Sequence, residues 1–288
     1  MRNSIIRAIM LAATFALAGC GGGGGTDVAS TPPPPPPPPA PPPEPPPIIP
    51  AATTSRQFSA VGASHPIDDW GTPQLGAGDQ LQVRYVASSN SYEVQLPGGQ
   101  TWSAIQYTPT GGSPINFIGG GAHLVLWSED YQYSRLFEWS ADNFHGYEAI
   151  GIPTAAGNVP RTGSASYSGE IAGFTPESNS SDTQWIVGSV EMTFNFEIGS
   201  LSGSISPVLT DGAATYSLGT IDFRNTVYST GSMTFSGEFD TNLAGVNSFS
   251  GLFTGPNAQE LIGNFALPYK SPIDSQTYQA GGAFVAKK

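Results

Sequence analysis

The sequence predicts an all-β protein, and three observations carry that prediction. Charged residues are only 11% of the 288, while Gly, Ser, Thr and aromatic residues are abundant. Tight turns and pleated strands have that composition, and helical bundles do not. After residue 51 no stretch sustains a 3.6-residue apolar period over three turns, whereas period-two alternation recurs. Turn residues such as Gly199, Asp211-Gly212 and Gly255-Pro256-Asn257 separate the alternating runs.

The first 54 residues are set apart by composition. Met1 to Arg7 form a short basic segment, followed by an apolar run from Ala8 to about Leu17 that is too short to span a bilayer. It ends in Leu17-Ala18-Gly19-Cys20, which resembles the bacterial lipobox, and Cys20 is the only cysteine of the chain. An ordinary secretory signal with a chance cysteine is the alternative. The lipobox resemblance implies cleavage after residue 19, acyl chains on Cys20 and, with Gly21 next, sorting to the outer membrane. Several acyl chains hold far more firmly than one, at about 0.8 kcal/mol per buried CH₂. Gly21 to Gly25 and Pro32 to Pro50 then read as a tether over residues 20–54, flexible first and extended polyproline II second. A polyproline ligand for SH3-like partners is the weaker reading in an exported protein.

Eight alternating segments follow Gly163, at about 164–172, 185–197, 200–206, 215–223, 230–239, 246–254, 260–267 and 279–286. In the clearest, Val190, Met192, Phe194, Phe196 and Ile198 take one face; in another, Met233, Phe235, Gly237 and Phe239 do. Eight antiparallel strands suffice to close a small barrel without exposed edges. Gly-x-Phe recurs at Gly237/Phe239, Gly251/Phe253, Gly263/Phe265 and Gly282/Phe284, placing a Gly and a ring together on the inward face. The rings are expected to be core. A transmembrane barrel would turn its apolar face outward. A lipid anchor on a long tether would be redundant there, so a barrel outside the bilayer is expected.

Residues 55–159 read as a separate β-rich module, with strands at 81–87, 91–96, 101–107, 122–128 and 135–139. All three His and four of the five Trp fall in it. The boundary is expected near Gly157-Asn158-Val159-Pro160, and residues 160–288 form the barrel.

The segments Pro160 to Gly169 and Phe249 to Phe265, with the ending Gly281 to Lys288, resemble the β-barrel of transferrin-binding protein B and its surface-lipoprotein relatives. That resemblance implies a surface lipoprotein made of a handle and an eight-stranded barrel. It also implies a host protein, haem or another solute as partner, in iron or haem acquisition, and a neighbouring TonB-dependent receptor. The chain has one handle–barrel unit where transferrin-binding protein B has two lobes. Fold and location follow from such a resemblance, whereas the ligand depends on local residues.

Charge and chemistry narrow the function classes. Residues 51–288 hold eight Lys/Arg against twenty Asp/Glu, which repels a phosphate backbone and excludes nonspecific nucleic-acid binding. One cysteine excludes a disulfide framework and a Cys-based zinc cluster. No Gly-x-Ser-x-Gly elbow accompanies His65, His123 or His145, so no enzyme is expected. Asp142-Asn143-Phe144-His145 with Glu148, and His65 with Asp68-Asp69, match no metal spacing, and no metal or resident cofactor is expected. For haem, His123 beside Leu124 to Trp127, or His145 beside Phe144 and Tyr147, would be the axial ligand. For a protein partner, Trp70, Tyr131 and Tyr133 are candidate contacts, with Asp68-Asp69-Trp70 and Glu129-Asp130-Tyr131 expected to be exposed. The expected role is therefore a non-enzymatic outer-membrane surface lipoprotein binding a host protein or solute. A structural or immune-shielding envelope lipoprotein is the alternative.

Overall fold

The computed structural model describes residues 47–67, 72–108, 114–127, 130–176 and 184–288. The signal segment, Cys20 and most of the tether lie outside them. Among the described residues the only helix is a single 3₁₀ turn at Ala77–Asp79, so the all-β expectation holds. Among the described residues no helix is long and apolar enough to cross a membrane.

Nine antiparallel strands form the first sheet: β1 (Arg56–Gln57), β2 (Ser59–Pro66), β3 (Gln82–Val86), β4 (Ser91–Gln95), β5 (Ser103–Thr108), β6 (Ile115–Gly119), β7 (Ala122–Leu126), β8 (Ser134–Ala141) and β9 (Phe144–Gly151). Their order is β1-β3-β4-β5-β6-β7-β8-β9-β2. The sheet curls about its own core, in which Leu81, Val83, Leu124, Phe137, Trp139 and Ile150 are fully buried. Four of these strands, β1, β2, β6 and β9, are missing from the sequence expectation. In β2, buried along most of its length, the small residues Ala60, Gly62, Ala63 and Ser64 also weaken the alternation. Ile48, Ile49 and Ala52 are buried in the same core, although they fall in the stretch expected to be tether. The Ile48-Ile49 pair is the one strongly apolar step in the proline tract, and burying two such side chains stabilises by about 2 kcal/mol each.

The second sheet holds β10 (Ser164–Phe174), β11 (Gln184–Asn195), β12 (Ser200–Asp211), β13 (Ala214–Ser217), β14 (Ile221–Val227), β15 (Thr234–Phe239), β16 (Ser248–Thr254), β17 (Glu260–Lys270) and β18 (Thr277–Lys287). The path β10-β11-β12-β14-β15-β16-β17-β18 returns to β10, closing an eight-stranded barrel. The expected segment 215–223 is in fact two strands. β13 pairs with Val208 to Asp211 of β12, and β14 continues along the same edge of β12 through Ser204↔Asp222 and Ile205↔Ile221, with an interruption between the two. Met233 and Ile198 depart from the expected inward face, since both lie just outside strands and are 40% and 73% exposed.

The rings do point inward: Phe235, Phe239, Phe249, Phe253, Phe265 and Phe284 are all in the barrel core. Each inward Gly sits directly opposite a Phe of the neighbouring strand, as in Gly237↔Phe249, Phe235↔Gly251, Gly263↔Phe284 and Phe265↔Gly282. A Cβ on Gly251 would lie 2.5 Å from the Phe235 ring. The glycines therefore clear floor space for rings across the strand, which bending alone does not explain.

The handle and barrel share one compact unit, Pro45–Lys288. β17 and β18 are buried almost throughout, because rings cover their inner face and the handle covers their outer face. The join is polar as well as apolar. The Glu260 carboxylate accepts from the Gln132 and Tyr133 amides at 2.7 and 3.0 Å, and Ser134 Oγ meets Thr254 Oγ1 at 2.7 Å. Asn264 Nδ2 donates to the Gly62 carbonyl at 3.3 Å.

Candidate functional site at the junction of the two sheets

Alternation on β8 and β9 divides their side chains between two surfaces. Phe137, Trp139 and Ile150 enter the handle core. On the other face Leu136 and Glu138 of β8 stand beside His145 and Tyr147 of β9, with Glu138 and Tyr147 directly opposed. The barrel offers a matching outer face, where Glu170, Ala172 and Phe174 of β10 alternate with the inward Tyr167 and Ile171. Trp185 and Val187 of β11 extend that face. Between the two walls lies a cleft of about 560 Å³, the size of an ordinary small-ligand site. Ile67, Trp127 and Val187 line it and are 49%, 48% and 37% exposed, so much of its apolar surface meets solvent.

On the handle side several polar groups converge. His145 Nε2 donates to Glu138 Oε1 at 2.8 Å, and the Tyr147 hydroxyl hydrogen-bonds the same carboxylate. Burial, and the Glu138 charge beside it, push the Tyr147 hydroxyl far above its ordinary value, so it remains a neutral donor. The β2–β9 register sets His65 directly opposite His145, with His65 Nε2 3.2 Å from His145 Nδ1. His65 Nδ1 faces the Pro66 carbonyl at 2.7 Å. The two outer nitrogens thus face acceptors and carry protons. The contact between the rings is a hydrogen bond only when one imidazole holds a second proton. His65 is fully buried, its ring centroid 4.2 Å from that of Phe174 on the barrel.

Of the residues singled out in the sequence, His145 lies in this cleft. His123 does not line it; His123 is on the outer face of β7, bonded through Nε2 to Asn116 Oδ1 at 3.1 Å. Tyr131, expected to be exposed, is 5% exposed, and its hydroxyl donates to the Val285 carbonyl at 3.3 Å in the join. Tyr133 is half-buried against Gly255, its amide bonded to Glu260. Trp70 and Cys20 lie outside the described residues. His145 and Glu148 occupy opposite faces of β9, so they cannot share an ion. Sequence reasoning passed over Glu138, Glu170, Trp185 and Val187. The signal available was Trp185 and Val187 themselves, large apolar residues on the face of β11 that its alternation otherwise gives to polar side chains.

Residues 159–288, somewhat under half of the chain, match a family model described as the C-lobe and N-lobe beta barrels of Tf-binding protein B. The barrel is of the transferrin-binding protein B type. Among solved structures, a double mutant of transferrin binding protein B from Haemophilus parasuis, described as a vaccine antigen, is 18% identical with a TM-score of 0.45. The match covers 79% of this chain and 44% of that one. The isotype 1 transferrin binding protein B from serogroup B Neisseria meningitidis is 18% identical with a TM-score of 0.42, over 79% of this chain and 43% of that one. The chain therefore spans less than half the length of these transferrin-binding protein B structures. No curated protein sequence matches it.

Proposed function

We propose that the protein is a non-enzymatic, lipid-anchored binding protein of the outer-membrane surface, taking a host protein or solute. The observation that carries this reading is the solvent-facing apolar cleft, built between two sheets that brace each other. Apolar walls with a few convergent polar groups suit ligand capture. The Cys20 lipobox and the proline tract supply the anchor and the stalk. The barrel type brings in iron acquisition, with transferrin named for the relatives, and a TonB-dependent receptor as a further partner.

The test is native mass spectrometry of the full chain purified from its own cells, beside Val187→Trp, which fills the cleft. A bound small molecule in the wild type that is lost in the variant supports the reading. Equal masses in both, with wild-type cells no different from Val187→Trp cells in growth on any iron source, would favour the envelope-shielding role.

Haem is a second reading, favoured by His145 standing in the cleft. Titration with haemin should then shift the Soret band saturably at one equivalent. The shift should be lost in His145→Ala and kept in His123→Ala. An unshifted band removes haem and leaves ligand capture standing.

A further inference from the structure

Naming a ligand class presupposes that the junction cleft is the ligand seat. Two features of its walls then select among ligands. Each wall carries one carboxylate, Glu138 on the handle and Glu170 on the barrel, and each carries one indole, Trp127 and Trp185. No Lys or Arg lines the cleft among the described residues.

We propose that the cleft binds a small organic cation with an aromatic or apolar body, its ammonium group held by Glu138 and Glu170. An anionic ligand would meet two carboxylates and no cationic side chain on the walls. That disfavours haem here unless both of its propionates stay in solvent.

Glu138 retains acceptor capacity after bonding His145 and Tyr147, since a carboxylate offers about four lone-pair positions. Its side chain is 28% exposed, so its field is less screened than that of a surface acid. Indole faces attract cations and also bury flat apolar bodies, which fits one ligand carrying both features. The cleft's 560 Å³ accommodates a two-ring amine with room for water.

The experiment uses three probes with one ring system: 2-(1-naphthyl)ethylamine, 2-(1-naphthyl)ethanol and 1-naphthylacetate. Each is titrated into the full chain in detergent by calorimetry, at low and at physiological salt. The amine should bind one per chain, roughly tenfold tighter than the alcohol, and the acetate weakest. Glu138→Gln with Glu170→Gln should bring the amine to the alcohol's affinity while leaving the alcohol unchanged. Each single variant should remove part of that preference. Val187→Trp should abolish binding of all three.

An acetate that binds as well as the amine overturns the proposal, as does an amine preference that survives the double variant. In both cases, sensitivity of binding to Val187→Trp keeps the cleft as a ligand seat. Absence of binding by every probe, or binding indifferent to Val187→Trp, overturns the cleft itself. A haemin Soret shift lost in His145→Ala would replace the cation with haem.

Discussion

Glu148 shows how much one side chain can depend on its partners in space. In the chain it follows Tyr147 and resembles any acid on an alternating strand. In the fold it is fully buried, and Oε2 accepts the Leu81 amide at 3.0 Å. Burial pushes its carboxyl well above the usual carboxylate range, which the Leu81 bond only partly offsets. Among the described residues Glu148 Oε1 has no donor, as suits a carboxyl that keeps its proton. The folded state therefore holds a proton that the unfolded chain releases near the ordinary value of 4.5. Stability is then fullest below that pH and is lost as pH rises towards the folded value. The loss is about 1.4 kcal/mol for each pH unit in that window. Melting temperatures recorded from pH 4 to 8 should fall on the alkaline side. Glu148→Gln should flatten the curve, and an unchanged slope would refute a protonated Glu148. Nothing in the sequence marks this residue, because its burial comes from the close approach of Leu81, 67 positions away.

At the scale of elements, legibility followed the strength of alternation. The long barrel strands were found within a few residues of their bounds, since Val190, Met192 and Phe194 turn one way while polar residues turn the other. β2 and β9 were missed because both of their faces are covered, the handle core on one side and the barrel on the other. Strands buried on both faces lose their period-two signal. The cross-strand Gly–Phe pairs yield two predictions for urea denaturation. Phe253 touches the rings of Tyr167, Phe194, Phe196, Tyr228 and Phe235, so Phe253→Ala should cost about 3–5 kcal/mol. Gly251→Ala places its methyl against the Phe235 ring and the Ile262 carbonyl and should cost about 1–3 kcal/mol. A Gly251→Ala protein as stable as wild type would mean that the glycine serves only to bend the strand.

For the whole molecule, the decisive feature is the join. Glu260 caps two amides of the handle from the start of a barrel strand and is 5% exposed. Glu260→Ala leaves both donors unsatisfied, at a cost of about 2 kcal/mol or more. Hydrogen exchange should quicken first at Gln132 and Tyr133, and handle and barrel should begin to melt apart. Single cooperative unfolding at wild-type temperature would show that apolar packing of β17 and β18 suffices. The same join shapes the cleft, so Glu260→Ala should also weaken whatever ligand binds there.

The sequence by itself determined the fold class, the eight-stranded ring and the inward rings. Each is written locally, in alternation, turn residues or a short motif, and needs no knowledge of distant neighbours. Only the tertiary structure decided which residues face the cleft. Glu138, Glu170, Trp127 and Trp185 come from four strands or strand ends of two sheets, and no spacing along the chain relates them. It also decided that Tyr131 is buried and that Ile48 and Ile49 join the core. Those outcomes depend on one curved sheet packing against another, and the chain specifies that contact through surface shape and charge spread over some two hundred residues.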